Sequence, residues 1–189
     1  MLVFLSGIMV ITASDGESVL PPEKNRMKPD HAPTPFSAEE IRDACPTGRW
    51  TKYHIQVAGH PDTYQLSTFI DSDNEGTGFE SVSLDMDGKP KGEKQTARAN
   101  WEELQGHASF PQKDTQITSE SYTTPSGTYD CWLYVVTREK EGKKDVKRFW
   151  FAKSLPGPPV CYEQTVNGKL TFRMTLVESH IPAPSAPGD

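Results

Sequence analysis

The last third of the chain consists of strand-like runs that follow one another with only short turns between them. These runs cover residues 128–137, 146–153, 160–166 and 170–177. Parallel strands would need crossovers of a dozen or more residues, usually helical, and no such stretch separates the runs. The segment therefore predicts neighbouring antiparallel strands.

Three earlier runs, at residues 50–58, 64–70 and 79–86, alternate in the same way and are separated by turn-forming residues. Two short helices are predicted, one beginning after Ser37 and one over residues 101–107. We therefore predict a mainly β (α+β) fold. Its core is a curved antiparallel sheet or half-barrel of about seven strands, with the two short helices packed on it.

The starts of both helices are marked by capping residues. Ser37 and Glu40 have the spacing of a capping box, and Asn100 and Glu103 have the related Asn/Glu spacing. Each helix is only about two turns long, and helices this short are unstable alone. Both are therefore expected to pack on the sheet.

The first residues have the composition of an export signal. Residues 1–14 are almost all apolar but too few to span a bilayer, and they end in small residues suited to signal peptidase. No basic residue precedes Lys24, and a start placed too far downstream would explain the missing basic region. We predict a signal peptide over residues 1–14, with a buried N-terminal strand as the alternative, and hence a periplasmic or secreted protein.

Prolines are concentrated on either side of the predicted folded body. Residues 15–35 combine five prolines with charged residues, a composition that predicts a Pro-rich linker. Residues 180–189 are predicted to be a disordered Pro-rich tail. The single β-rich domain is accordingly placed at residues 36–179, with no transmembrane span after signal removal.

Composition argues against several classes of function. With 20 basic and 26 acidic side chains, the net charge is −6, which argues against a nucleic-acid partner. The sequence has no Gly-rich phosphate loop, no G-x-S-x-G motif and no paired His or Cys at zinc-site spacing. We predict a protein that is not an enzyme and uses no cofactor and no metal.

Three cysteines leave the disulfide question open. A strand is predicted between Cys131 and Cys161, which would hold them about 10 Å apart, too far for a disulfide. A helix over the sheet could bring Cys45 to either one. The alternative is three packed thiols that act as small hydrophobic groups.

Two charged segments each allow two interpretations. Residues 71–76 match the opening of a calcium-binding EF-hand loop, but the twelfth position is Val82 rather than Glu. This loop is either an irregular calcium site or a solvated acidic turn.

Residues 138–148 contain six basic and three acidic side chains. They form either a patch for anionic headgroups or an acidic partner, or a solvated hairpin tip.

One face of the two most aromatic strands is the candidate ligand site. Strand alternation places the following side chains together: Trp132, Tyr134, Val136, Phe149 and Phe151. This face is either ordinary core under a helix or a groove for an apolar ligand.

The dipeptide Asn167-Gly168 is the strongest hairpin signal in the chain. We predict a three-residue loop with Gly168 left-handed, because this register puts Tyr162 opposite Phe172 and leaves Glu163 facing solvent. A two-residue turn would instead put Glu163 opposite Phe172 and Thr165 opposite Leu170.

Residues 128–178 also resemble a known family. A strand containing YDCWLYVV, a strand containing KRFWFA, a Pro-Gly-Pro-Pro corner and the hairpin VCYEQTVNGKLTFRMTLVE follow in order. This order resembles the C-terminal half of the periplasmic lipoprotein-carrier superfamily (LolA/LolB-like), including its uncharacterised members. The resemblance implies a curved half-barrel whose concave face is covered by helices and, in some members, binds lipid or acyl chains. It assigns no functional residue.

Two functions follow from these expectations. The first is an exported, non-enzymatic protein that binds a lipid-like or other apolar ligand in the concave face of the sheet. The alternative is a structural or accessory subunit of an envelope or secreted complex. Such a subunit would bind a protein partner through a sheet edge or the Pro-rich termini.

Overall fold

The computed structural model describes residues 20–183. The predicted signal peptide and residues 184–189 of the predicted tail lie outside the described residues. Within the described range, nine strands join one antiparallel sheet, accompanied by two α-helices. The elements are β1 (Trp50–Val57), β2 (Thr63–Ile70), β3 (Gly76–Leu84), β4 (Gln95–Asn100), β5 (Thr115–Thr124), β6 (Gly127–Lys140), β7 (Lys143–Ala152), β8 (Cys161–Val166), β9 (Lys169–His180), α1 (Ala38–Ala44) and α2 (Trp101–Gly106).

The strand order is β4-β3-β2-β1-β9-β8-β7-β6-β5, so the pairing of β9 with β1 joins two meanders into one open sheet. The antiparallel, mainly β prediction is confirmed, but the sheet has nine strands rather than about seven. The additional strands are β4 and β5, which form the two edges. Their side chains are largely polar and exposed, so neither shows the apolar alternation by which a strand is predicted. Neither helix of the described chain is long and apolar enough to cross a membrane.

The sheet curls strongly around its helices. Phe79 on β3 and Phe149 on β7 line the same cavity. Five strand spacings separate β3 from β7, about 24 Å on a flat sheet. The two strands can share one small cavity only if the sheet bends toward itself, and α1 and α2 lie on the concave side.

Both helices begin at the predicted residues. The Ser37 hydroxyl accepts a hydrogen bond from the Glu40 N–H at 3.2 Å, and the Glu40 carboxylate accepts one from the Ser37 N–H at 2.7 Å. Asn100 and Glu103 form the same reciprocal pair at 2.8 and 2.9 Å. The Gln105 side chain then links the helices by accepting a hydrogen bond from the N–H of the first residue of α1 at 2.9 Å.

The segment predicted as a linker lies against the domain from residue 20 onward. Asn25 and Thr34 are buried, and the Gln105 amide donates to the Asn25 carbonyl at 3.2 Å and to the Thr34 hydroxyl at 3.0 Å. The Ala32 N–H donates to the Phe110 carbonyl at 2.9 Å. Prolines lower the conformational entropy lost on ordering, so this Pro-rich segment can be held by few apolar contacts and a set of hydrogen bonds. The folded domain is therefore longer at this end than residues 36–179.

In the C-terminal hairpin the side chains lie on the predicted faces, but the turn differs from the predicted one. Asn167 and Gly168 have φ of +49° and +77° and form a two-residue turn, rather than the predicted three-residue loop. A bulge between Gln164 and Thr165 then shifts the pairing of β8 with β9 by one residue, so that Tyr162 and Glu163 lie on the predicted faces. As a result Tyr162 pairs with Met174 rather than with Phe172, while Glu163 pairs with Arg173.

The opposite face of β6 and β7 is also covered, as their two-sided apolar pattern predicts. The β5–β6 hairpin bends over this face, where the Tyr122 ring lies 4.6 Å from that of Trp150. The Tyr122 hydroxyl donates to the Cys161 sulfur at 3.2 Å. Cys131 and Leu133 pack in the same cluster. The sheet therefore has one core under the helices and a second beneath its own folded edge.

Candidate ligand-binding site

A partly open apolar cavity of about 270 Å³ lies between the two helices and the concave face of the sheet. Its walls come from opposite halves of the sheet and from the helices that bridge them. The large apolar side chains that line it are Ile41, Phe69, Phe79, Leu104, Phe149, Phe151, Tyr162 and Met174, and the rest of the wall consists of His107, Ala108, Gly157, Pro158 and Pro159. Such a lining favours a ligand without hydrogen-bonding groups along its length.

Aromatic pairs give this cavity fixed walls. Phe69 and Phe79 on one half of the sheet have ring centroids 5.1 Å apart. On the other half, Phe149 lies 6.0 Å from Phe151 and 4.6 Å from Tyr162, and both pairs are stacked. Aromatic pairs at these separations contribute about 0.5–1.5 kcal/mol each beyond the area that they bury, which favours a preformed cavity.

The five predicted site residues share one face but have different surroundings. Phe149 and Phe151 line the cavity. Trp132 and Tyr134 are covered instead. The Phe36 ring lies 5.8 Å from the Trp132 ring, and the Tyr134 hydroxyl donates to a backbone carbonyl of the N-terminal segment at 2.8 Å. Val136 is buried and lines a second recess beside the cavity.

Four other lining residues were not predicted from the sequence: Phe69 and Phe79 on the opposite half of the sheet, Leu104 on α2 and Met174 beside Tyr162 on β9. Phe69 and Phe79 do lie in predicted strands, so their burial on one face was open to prediction. Their position across from Phe149 depends on the β1–β9 pairing, for which the sequence carries no local signal.

The second recess, also of about 270 Å³, adjoins the cavity, because both are lined by His107, Phe149 and Tyr162. Its remaining lining is more polar and consists of Phe110, Val136, Arg138, Asp145 and Lys147. Burial raises the pKa of Tyr162, and the negative charge of Asp145 adds to this effect.

The three cysteines are free and buried. Burial raises the pKa of each thiol, to about 12 for Cys131. At Cys45 the neighbouring guanidinium of Arg49, 3.0 Å from the sulfur, opposes this rise without cancelling it. A nucleophilic thiol requires the opposite shift, so these side chains have the properties of packed hydrophobic groups.

His31 and Ser109 form a contact that resembles part of a catalytic triad. Nδ1 of His31 lies 2.8 Å from the Ser109 hydroxyl and 3.0 Å from the Ser109 backbone oxygen, while Asp30 lies 4.0 Å from Nε2. A carbonyl oxygen only accepts hydrogen bonds, so a bond to it requires the tautomer with the proton on Nδ1, and that tautomer has no lone pair there to accept the hydroxyl proton. This geometry favours a structural role, in which His31 ties the N-terminal segment to the residues after α2.

The other histidine with a carboxylate partner is His54, whose Nε2 lies 2.9 Å from Asp62. Gln56 donates to the same carboxylate at 3.2 Å. By strand alternation His54 lies on the convex face of β1, away from the cavity. Within residues 20–183, no hydroxyl or thiol is hydrogen-bonded to the His54 ring.

The acidic loop is organised by its own hydrogen bonds. Asp73 accepts the backbone N–H groups of Gly76 at 2.9 Å and Glu75 at 2.8 Å, and Arg98 donates to it at 2.6 Å. These bonds lower the pKa of Asp73. Nowhere in the described part of the chain do three or more His, Cys, Asp or Glu side chains come together as metal ligands would.

Comparisons with known proteins extend the description of the fold. No family model matches the chain, and no curated protein matches it in sequence. A crystal structure of a predicted lipoprotein from Parabacteroides distasonis is similar in fold. Its TM-score is 0.51 at 15% sequence identity, over 72% of this chain and 96% of that one. A predicted exported protein from Bacteroides fragilis, described as having a YmcC-like fold, matches with a TM-score of 0.45 at 12% identity, over 72% and 97% of the two chains. The first likeness shows that the fold occurs in a solved protein.

Proposed function

We propose that this chain is an exported, non-enzymatic protein that binds one hydrocarbon chain in the cavity under its helices. The observation that carries the proposal is the cavity itself, about 270 Å³ in volume and walled by apolar side chains from two distant parts of one curved sheet. Apolar cavities of about 150 Å³ bind a molecule the size of benzene. The present cavity therefore suits a single hydrocarbon chain better than a lipid with several.

Export is supported by two independent observations. The apolar segment at residues 1–14 has the length and the terminal residues of a signal peptide. The Parabacteroides distasonis protein of similar fold is described as a predicted lipoprotein. We accordingly place the protein in the periplasm or among secreted proteins.

The proposed kinship with the lipoprotein-carrier superfamily is supported by the architecture of the domain. That resemblance implies a curved antiparallel sheet with helices on its concave face, and the architecture observed here has that form. The carriers that bind acyl chains hold them on this face. The kinship thus supports a hydrocarbon chain as the ligand, but it assigns no residue of this chain to the binding site.

A non-enzymatic role is supported by the chemistry of the candidate reacting groups. The buried thiols have raised pKa values, and Nδ1 of His31 lies against the Ser109 backbone carbonyl as well as the Ser109 hydroxyl. The alternative accessory role has weaker support. Residues 20–35 contact their own domain, and on the β4 side Lys94 and Arg98 are held in ion pairs with Glu80 and Asp73.

The proposal is tested by titrating the protein with N-phenyl-1-naphthylamine, a neutral apolar dye that fluoresces when it leaves water. We expect saturable binding that decanol displaces. The variant Leu104→Trp should weaken binding at least tenfold by filling the cavity. Leu170→Trp is the matched control, because this exposed residue lies outside the cavity lining. If both variants bind the dye as the wild type does, the cavity is not the binding site.

The length of the ligand is tested with alcohols of increasing chain length. Each methylene that enters the cavity contributes about 0.8 kcal/mol, which lowers the dissociation constant about fourfold. This gain should stop once the cavity is full. A native mass spectrum of the purified protein adds a separate readout, since an added mass that disappears on denaturation would identify a molecule acquired in the cell.

A further inference from the structure

The apolar cavity and the polar recess are neighbours that share three lining side chains. His107, Phe149 and Tyr162 line both, so a molecule that occupies the cavity and the recess together must lie against these side chains. The cavity offers almost no polar group, whereas the recess contains three charged side chains. The two compartments together therefore suit a molecule with one apolar and one charged end.

The charges in the recess are arranged in favour of an anion. Arg138 and Lys147 each contribute a positive charge and Asp145 a negative one, so the recess has a net charge of 2 − 1 = +1, in a chain whose net charge is −6. The Gln164 side chain donates to both oxygens of Asp145 at 3.0 and 3.1 Å, which partly satisfies that carboxylate. Arg138 and Lys147 form no ion pair and no side-chain hydrogen bond within residues 20–183.

Strand register explains why these cations lie beside the aromatic wall. Lys147 is two residues before Phe149 on β7, so both point to the concave face, about 7 Å apart along the strand. Arg138 on β6 pairs with Asp145, which lies two residues before Lys147 on β7 and on the same face. A head group that binds both cations would thus lie one step beyond the Phe149 ring, with its chain directed into the cavity.

We propose that the ligand is a single-chain anionic amphiphile, with its hydrocarbon chain in the cavity and its carboxylate or phosphate head between Arg138 and Lys147. This inference rests on the proposed binding of a hydrocarbon chain. It adds the head group and the side chains that bind it. Charge-assisted hydrogen bonds to two cations with no partner in the described chain supply the selectivity.

The test compares ligands that share a ten-carbon chain and differ in their heads. Decanoate, decyl phosphate, decanol and decyltrimethylammonium are each used to displace N-phenyl-1-naphthylamine, below their micellar concentrations. We expect decanoate or decyl phosphate to bind about tenfold more tightly than decanol, and the ammonium compound to bind least tightly. The tighter of the two anions identifies the head group as carboxylate or phosphate. The advantage of the anion should shrink as salt is added.

Charge-neutralising variants assign the effect to the two cations. In the double variant Arg138→Gln/Lys147→Gln, the preference for the anion over decanol should fall to less than twofold, while decanol binds as before. The matched control Lys144→Gln/Arg148→Gln removes the same charge from the opposite face of β7. This control should keep the preference.

The possible failures are distinguishable. If the dye and decanol bind but decanol and both anions have equal affinity, the head-group assignment is overturned and the proposed function stands. Equal loss of preference in both double variants also overturns it, because a general field rather than the recess would then select anions. If neither the dye nor decanol binds, the proposed function itself fails.

Discussion

Phe149 and Tyr162 face each other across β7 and β8 as a directly paired couple, with ring centroids 4.6 Å apart and planes 6° from parallel. The stack borders both the apolar cavity and the charged recess. It therefore marks the place where the hydrocarbon chain of the proposed ligand would give way to its head.

Removal of one ring should affect stability as well as binding. We expect Phe149→Ala to lower the free energy of unfolding by about 2–3 kcal/mol, because a half-buried ring and its packing contacts are lost. Urea unfolding followed by tryptophan fluorescence measures this change. Tyr162→Phe keeps the stack and loses only a 3.3 Å hydrogen bond to Gln164, so a change of about 0.5 kcal/mol is expected. Equal effects from the two variants would contradict a role for the stack.

Arg49 is predicted to hold the start of β1 to the loop before β8. Its guanidinium is fully buried and donates to the Ala44 and Pro156 carbonyls at 2.8 and 2.7 Å. Arg49→Ala should lower the free energy of unfolding by about 3 kcal/mol, since both carbonyls lose their charged donor. Arg42→Ala on the surface of α1 is the control, with an expected change of about 0.5 kcal/mol. A loss of under 1 kcal/mol at Arg49 would show that this anchor is dispensable.

The attachment of the N-terminal segment can be tested at Tyr134. Its buried hydroxyl donates to the Pro33 carbonyl at 2.8 Å. Tyr134→Phe should therefore lower the free energy of unfolding by about 1–2 kcal/mol. It should also speed tryptic cleavage after Lys24 and Arg26, because the segment opens more often. An unchanged cleavage rate would indicate that Pro33 is held by other contacts.

Alkaline pH should destabilise the protein through Cys131. Burial, followed by the charges of Asp130 and Glu120, raises the pKa of this thiol from 9.0 to about 12. The unfolded chain loses the proton first, so the free energy of unfolding is unaffected below pH 9 and falls as pH rises from 9 toward 12, by up to about 1.4 kcal/mol per pH unit. Urea unfolding between pH 8 and 10.5 measures the slope. Cys131→Ala should give a shallower slope, and equal slopes would exclude this thiol as the cause.

Local signals predicted the parts of the fold that local contacts build. The capping pair Ser37 and Glu40 places the start of α1, because a capping box needs residues only three apart. The two-sided apolar pattern of β6 predicts cover on both faces, and both faces are covered. The Asn167-Gly168 turn is equally local, but the bulge beside Thr165 is not, so the faces were predicted correctly and the residue pairs were not.

Features that depend on distant partners were not predictable in the same way. β4 and β5 are edge strands held by one neighbour each, so their outward side chains need not be apolar. Residues 20–35 are ordered by Gln105 and Tyr134, which lie far along the chain. The cavity follows the same rule: Phe149 and Phe151 were identified from their own strand, whereas Phe69 reaches the site only through the pairing of β1 with β9.

A crystal structure with 12-bromododecanoate would show whether a hydrocarbon chain lies under the helices with its anionic head in the recess. The anomalous signal of bromine marks the end of the chain. We expect bromine in the cavity between Phe69 and Phe151, with the carboxylate next to Arg138 and Lys147. Bromine found only at the protein surface, or a bound chain with the carboxylate buried in the cavity, would contradict it.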